Sequence, residues 1–177
     1  MEFIGYRNIN YHILIDIEKW LEVDQFVRSK NDSCIGKYFN EVDSINCKNV
    51  INLINSKGFP GFNMLGIHSN DILFLIMHAT TNYASEKYWD SYFKPLLLSE
   101  AKKGNISFSS YAFIFDRYYY YLNNKKQYYG LLKTSTREYL PIENIKEVDK
   151  RRAELGLPPL WMDSKISKIK LPDNYIK

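Results

Sequence analysis

The chain has 177 residues, 45% of them apolar, with 24 Lys+Arg against 20 Asp+Glu and a formal charge of +4. That length and apolar content suffice for one folded domain with a core of its own. Apart from a basic tail the positive balance is spread along the chain, which argues against a nucleic-acid binder. No apolar run approaches the roughly 18–20 residues that a membrane-spanning helix needs, so no membrane association is expected.

The N-terminal MEFIGYRNINYHIL lacks a charged region followed by an apolar run and has no small-residue cleavage site, so no secretory leader is expected. Cys34 and Cys47 make neither a disulfide framework nor a zinc spacing, which predicts reduced thiols in a cytoplasmic protein, with no metal and no cofactor.

In chain order the pattern is mainly α. Ile13, Leu14, Ile17, Trp20 and Leu21 recur at helical spacing, and Phe26 and Val27 continue the stripe. A helix over about 10–29 follows, with Asn10 as N-cap and with Asp24 and Arg28 one turn apart as a surface ion pair. Residues 30–40 read as a loop. A second helix over about 42–57 turns Val50, Leu53 and Ile54 inward, and Gly58 stops it. FPGFNMLG is expected to pack on the core, and Ser69 to cap a third helix over about 70–83 that carries His78. Ser85 and Glu86 suit the start of a fourth helix, which Pro95 should kink or break. A fifth helix covers about 109–123, and QYYGLLKT and REYLP read as a β-hairpin near 127–140. Pro141 is expected to start a last helix that ends before Gly156, with a proline-punctuated surface tail over 157–177. The expected fold is a single mainly α domain, 1–177, of about six helices with one small β-hairpin.

The stretch Tyr111–Gly130 concentrates the polar groups that need partners: Asp116-Arg117, then Gln127, Tyr129 and Gly130 among tyrosines. Asp116 and Arg117 are consecutive, so on a helix their side chains diverge by about 100°. His78 lies in FLIMHA, where burial disfavours its charged form and a partner would be needed to make it a base. Arg151 and Arg152 are spaced for intrahelical pairing with Glu147 and Asp149. No P-loop, dinucleotide-binding glycine pattern, metalloprotease helix or nucleophile elbow occurs.

Several short motifs follow one another in a particular order. They are Asp24-Gln25-x-x-Arg28, Asp43, Gly58-x-Pro60, Leu65-Gly66 and Met77-His78-Ala79, then Asp116-Arg117, Gln127-x-Tyr129-Gly130, Arg151-Arg152 and Gly156-Leu157-x-Pro159-Leu160. Over roughly residues 20–160 this order resembles an uncharacterised bacterial family, a domain of unknown function. The chain departs from that pattern at Met77, where the family has Gln, at Thr80, where an acidic residue is common, and at Leu131-Leu132, which replaces Thr-Gln.

The resemblance implies that the recurring polar residues Asp24, Arg28, His78, Asp116, Arg117, Arg151 and Arg152 belong to one network or pocket. With more arginine than carboxylate, it would favour an anionic ligand. Arg28, His78, Asp116 and Arg117 are expected to converge in one cavity, with Gln127 and Tyr129 against the fifth helix and Arg151 or Arg152 at the rim. The chain is therefore expected to be a binding protein for a small anionic molecule or an acidic protein segment. The alternatives are a hydrolase or transferase, with His78 or Asp116 as the catalytic candidate and Arg117 as electrostatic stabiliser, or an immunity or phage-defence partner protein.

Overall fold

Helical spacing of apolar residues sets the N-terminal part. The computed structural model describes residues 9–29, 38–82 and 88–176, and the chain divides into two units, Met1–Ile106 and Ser107–Lys177. Helix α1 (Tyr11–Ser29) buries Ile13, Leu14, Ile17 and Val27. Asn10 Oδ1 accepts from the Ile13 N–H at 3.3 Å, the cap that the spacing predicts. Phe26 does not continue the stripe; it is 54% exposed. The inward place near the end of α1 goes to Asp24, which is fully buried, so the expected surface pair is an interior one.

Helix α2 (Phe39–Lys57) buries Val42, Asp43, Asn46, Cys47, Val50 and Ile54. It starts three residues earlier than its apolar pattern suggests, so Asp43 lies in its second turn rather than at its first residues. Phe59 and Leu65 are buried around a single turn, α3 (Phe62–Leu65), and a 3-10 turn, Gly66–His68, leads into α4 (Ser69–Asn82). Every α4 residue from Ile72 to Thr80 is buried except Phe74. Helices α1, α2 and α4 pack pairwise against one another.

The expected start of the next helix at Ser85 and Glu86 lies outside the described residues. Pro95 acts upstream of its own position. A π-helical turn, Trp89–Phe93, precedes α5 (Lys94–Lys102), in which Pro95 is the second residue. There the Phe93 N–H reaches Tyr88 and the Lys94 N–H reaches Trp89, each five residues back. The ladder is thus widened just ahead of the residue that cannot donate to it. After α5 the buried Glu100 accepts from the Asn105 amide at 2.6 Å, and the Asn105 carbonyl accepts from the Phe62 N–H at 2.8 Å. A Cβ at Gly61 would come within 2.6 Å of that carbonyl oxygen, so only glycine allows this approach.

In the C-terminal unit, Ser107 Oγ caps α6 (Phe108–Leu122) through the Ser110 N–H. This helix buries Tyr111, Ala112, Ile114, Asp116 and Tyr118, while Tyr121 at the end of the tyrosine run is exposed. No strand is present among the described residues. In place of the expected β-hairpin the chain makes isolated bridges, Lys133 antiparallel to Tyr139 and Gln127 parallel to Ile142. The cause is competition for the backbone: side chains of Asp116 and Gln127 take up the N–H groups of Tyr128, Tyr129, Leu131 and Leu132 that a ladder would use.

Pro141 does not start a helix either, because its carbonyl accepts from the Gln127 N–H and Glu143 donates back to the Gln127 carbonyl. Helical structure resumes with a 3-10 turn, Ile145–Glu147, and α7 (Val148–Glu154). Gly156 (φ +67°) closes α7 as its spacing predicts; the Gly156 and Leu157 N–H groups return to the carbonyls of Ala153 and Arg152.

The tail runs largely exposed, with Leu160, Ser164 and Ile169 as its buried anchors. Helix α8 (Leu160–Ser167) places Leu160 against Ile145 and Val148, with Ile142, Leu171 and Tyr175 packed on that cluster. Asp149 ties the tail down by accepting from the Leu160 N–H at 2.6 Å and the Tyr175 hydroxyl at 2.5 Å. Among the described residues no helix is long and apolar enough to cross a membrane.

Gly130 has φ +77°, and a Cβ there would meet Ile142 Cδ1 and Leu160 Cδ1 at 3.0 Å. Gly130→Ala is expected to destabilise by about 1 kcal/mol or more, combining left-handed strain with this crowding. Urea denaturation measures it, and an unchanged midpoint would contradict the turn described.

Candidate functional site

In the N-terminal unit, four ionisable side chains from three helices meet in the core. Asp24 and Arg28 project from one face of α1, Asp43 from α2 and His78 from α4. His78 Nδ1 lies 2.9 and 3.1 Å from the two Asp24 oxygens. Arg28 donates to Asp43 Oδ1 at 2.6 Å and places its other terminal nitrogen 3.1 Å from Asp24 Oδ1. Gln25 donates to Asp24 Oδ2 at 2.7 Å. Both aspartates are fully buried, whereas the Arg28 side chain retains 20% of its exposure. The Phe39 ring lies 5.5 Å from the Arg28 guanidinium, and the Phe74 ring packs edge-on against His78.

An imidazole that donates Nδ1–H to a carboxylate keeps Nε2 as an acceptor, which is the arrangement of a general base and its orienting acid.

Asp116 organises the C-terminal unit. Its Oδ1 accepts from the Tyr128 and Tyr129 N–H groups at 2.8 and 2.6 Å, and its Oδ2 from Leu131 at 2.8 Å. Burial pushes its pKa up from 3.8 to about 6, although these donors and the nearby Arg152 charge pull the other way. Gln127, also fully buried, pairs with Leu132 as a neighbouring strand would. Its Oε1 accepts from the Leu132 N–H at 2.6 Å and its Nε2 donates to the Leu132 carbonyl at 3.0 Å. The same Nε2 donates to the Leu140 carbonyl at 2.7 Å. Tyr129 is buried, and its hydroxyl pKa is raised, first by desolvation.

The two C-terminal arginines serve the same loops. Arg151 donates to the carbonyls of Tyr128, Glu143 and Asn144, with the Tyr128 ring 4.4 Å from its guanidinium. Arg152 donates to Tyr129 and Pro158. The intrahelical pairs expected with Glu147 and Asp149 are not made, because carbonyls of the enclosing loops take up the guanidinium donors and Asp149 holds the tail. Arg151 also borders a surface cleft of about 320 Å³ together with Glu143, Glu147, Lys150 and Glu154. Its carboxylates outnumber its cations, which gives an anion no advantage there. Arg117 is half-buried and lies 5.9 Å from the Tyr121 ring; its Nε is buried without a hydrogen-bond partner among the described residues.

The residues expected to share one cavity therefore fall in both units: Arg28 and His78 in the first, Asp116 and Arg117 in the second. Arg28 and His78 meet through Asp24. Gln127, Tyr129, Arg151 and Arg152 gather around the loop that Asp116 holds. Asp43 is not among the residues expected at the site; helix spacing gives Asp24 and Arg28 as a surface pair, whereas the resemblance implies Asp24 in the polar network. The four-residue spacing of Asp24 and Arg28 was the available signal. Comparison with protein-family models, curated proteins and solved structures found no match.

Asp116→Asn replaces one acceptor oxygen by an NH2 group that faces a backbone N–H. It is expected to cost about 1–3 kcal/mol at pH 7. The folded-state pKa of Asp116 lies above its unfolded value, so its contribution to stability is present in full below pH 4 and is lost as pH rises through about 6. Denaturation curves from pH 4 to 7 should show this loss in the parent protein and not in the variant.

Proposed function

We propose that this chain is a small-ligand-binding protein of the bacterial cytoplasm, that its ligand is anionic, and that Arg28 is the contact. One observation carries the reading: a helical core normally buries apolar groups, yet α1, α2 and α4 each bring ionisable side chains to one point, and the Arg28 side chain is its most exposed member. Around Asp116, by contrast, the arginine donors serve carbonyls of the protein itself. Arg28 is already bonded to Asp43, so the ligand must win it from that carboxylate or arrive with a cation. A thermal-shift screen of nucleotides, phosphosugars and dicarboxylates is expected to find a stabiliser, worth about 2.7 kcal/mol at 100 times its dissociation constant. Arg28→Ala should abolish that shift. A panel with no stabiliser, or a shift that survives Arg28→Ala, would overturn the assignment.

The Asp24–His78 contact favours a second reading, in which the protein is a hydrolase or transferase with His78 as general base. Asp24 then fixes the imidazole with Nε2 as the accepting nitrogen. Release of nitrophenol from p-nitrophenyl esters or phosphodiesters by the parent protein, and its loss in His78→Gln and Asp24→Asn, is the expected result. Turnover that both variants retain would remove His78 from the chemistry.

A further inference from the structure

We infer that Asp24, Asp43 and His78 form a divalent-cation site in which the Arg28 guanidinium is the internal occupant. The inference deepens the ligand-binding reading above and rests on the same network. The donors are one imidazole and two carboxylates, all buried and carried by three separate helices, with ligating atoms within 4.8 Å of one another. Zinc–nitrogen and zinc–oxygen bonds of about 2.0–2.2 Å place neighbouring ligand atoms of a tetrahedral ion roughly 3.4 Å apart. Small side-chain rotations on α1, α2 and α4 close that gap. A mixed nitrogen and oxygen set suits first-row ions such as Zn²⁺ or Mn²⁺ better than Ca²⁺ or Mg²⁺.

A second feature points the same way. Arg28 is an imperfect occupant: one terminal nitrogen is well bonded to Asp43, but the other is buried beside Asp24 without hydrogen-bond geometry among the described residues. The guanidinium rides on a long, flexible stem and the side chain is partly exposed, so the head can swing away from the carboxylates. Cation binding would then release Arg28 to meet the anion proposed above, and the two ligands would bind cooperatively.

The test uses the full chain, stripped with EDTA, exchanged into metal-free buffer and titrated calorimetrically with ZnCl2 or MnCl2, with MgCl2 for comparison. One site per chain is expected, with a raised melting temperature. Asp43→Asn and His78→Gln should each weaken the ion about 10-fold or more, since even outer-sphere partners of a metal are worth that much. Arg28→Ala removes the competing cation and should tighten binding, and this variant decides the matter if either ligand variant fails to fold. Were the four residues only an ion-pair brace, Arg28→Ala would lower the melting temperature and neither metal would restore it. That outcome, or zinc binding unchanged in Asp43→Asn, overturns the site. An anion shift that persists in EDTA while both metals fail would sink the cation site and leave the anion reading standing.

Discussion

A carboxylate removed from water has to be met by donors, and that requirement is solved differently in the two units. Around Asp116 the donors are backbone N–H groups of Tyr128, Tyr129 and Leu131, fixed in number and direction. Around Asp24 they are side chains: an imidazole, an amide and a guanidinium shared with Asp43. Backbone donors cannot be withdrawn without unfolding the loop that supplies them. Side-chain donors can rotate away and be replaced.

The Asp116 arrangement explains why the C-terminal unit can hold an irregular chain in place without a sheet. Gln127 acts toward Leu132 as a strand would, with one acceptor and one donor, and then reaches Leu140 as well. Arg151 and Arg152 close the remaining carbonyls of the same loops and of the Pro158 turn. Each charge-assisted hydrogen bond of this kind contributes about 1.5–3 kcal/mol when its partner is otherwise buried. The polar residues here replace a sheet, and the aromatic cluster of Phe115, Tyr119, Tyr128 and Tyr129 packs around them.

The Asp24 network has the opposite character. Its members come from α1, α2 and α4, so it braces three helices through side chains alone. Replacing such a buried network by apolar side chains is often neutral or stabilising. A network kept for bracing alone therefore has little energetic advantage over a packed core. Exchangeable side-chain partners and a partly exposed Arg28 side chain are what the proposed ligand binding rests on.

The sequence by itself determined the mainly helical character. Apolar spacing located α1, α2, α4 and α6, Asn10 supplied a cap, and Gly58 and Gly156 marked two ends, because these signals act over one or two turns and need no distant partner. It also singled out His78 and Asp116, each set in an apolar or aromatic run, FLIMHA and AFIFD. Tertiary structure alone decided who pairs with whom. The hairpin failed because Asp116, 12 residues before Tyr128, takes the N–H groups that a ladder needs. Helix α7 began late because Pro141 and Glu143 bond to Gln127, and the tail is anchored because Asp149 and the Ile145–Val148 cluster hold it. Asp43 and His78 join Asp24 across 54 residues of chain, from His78 back to Asp24. Spacing along one helix cannot encode such a contact; it exists only once three apolar faces have packed.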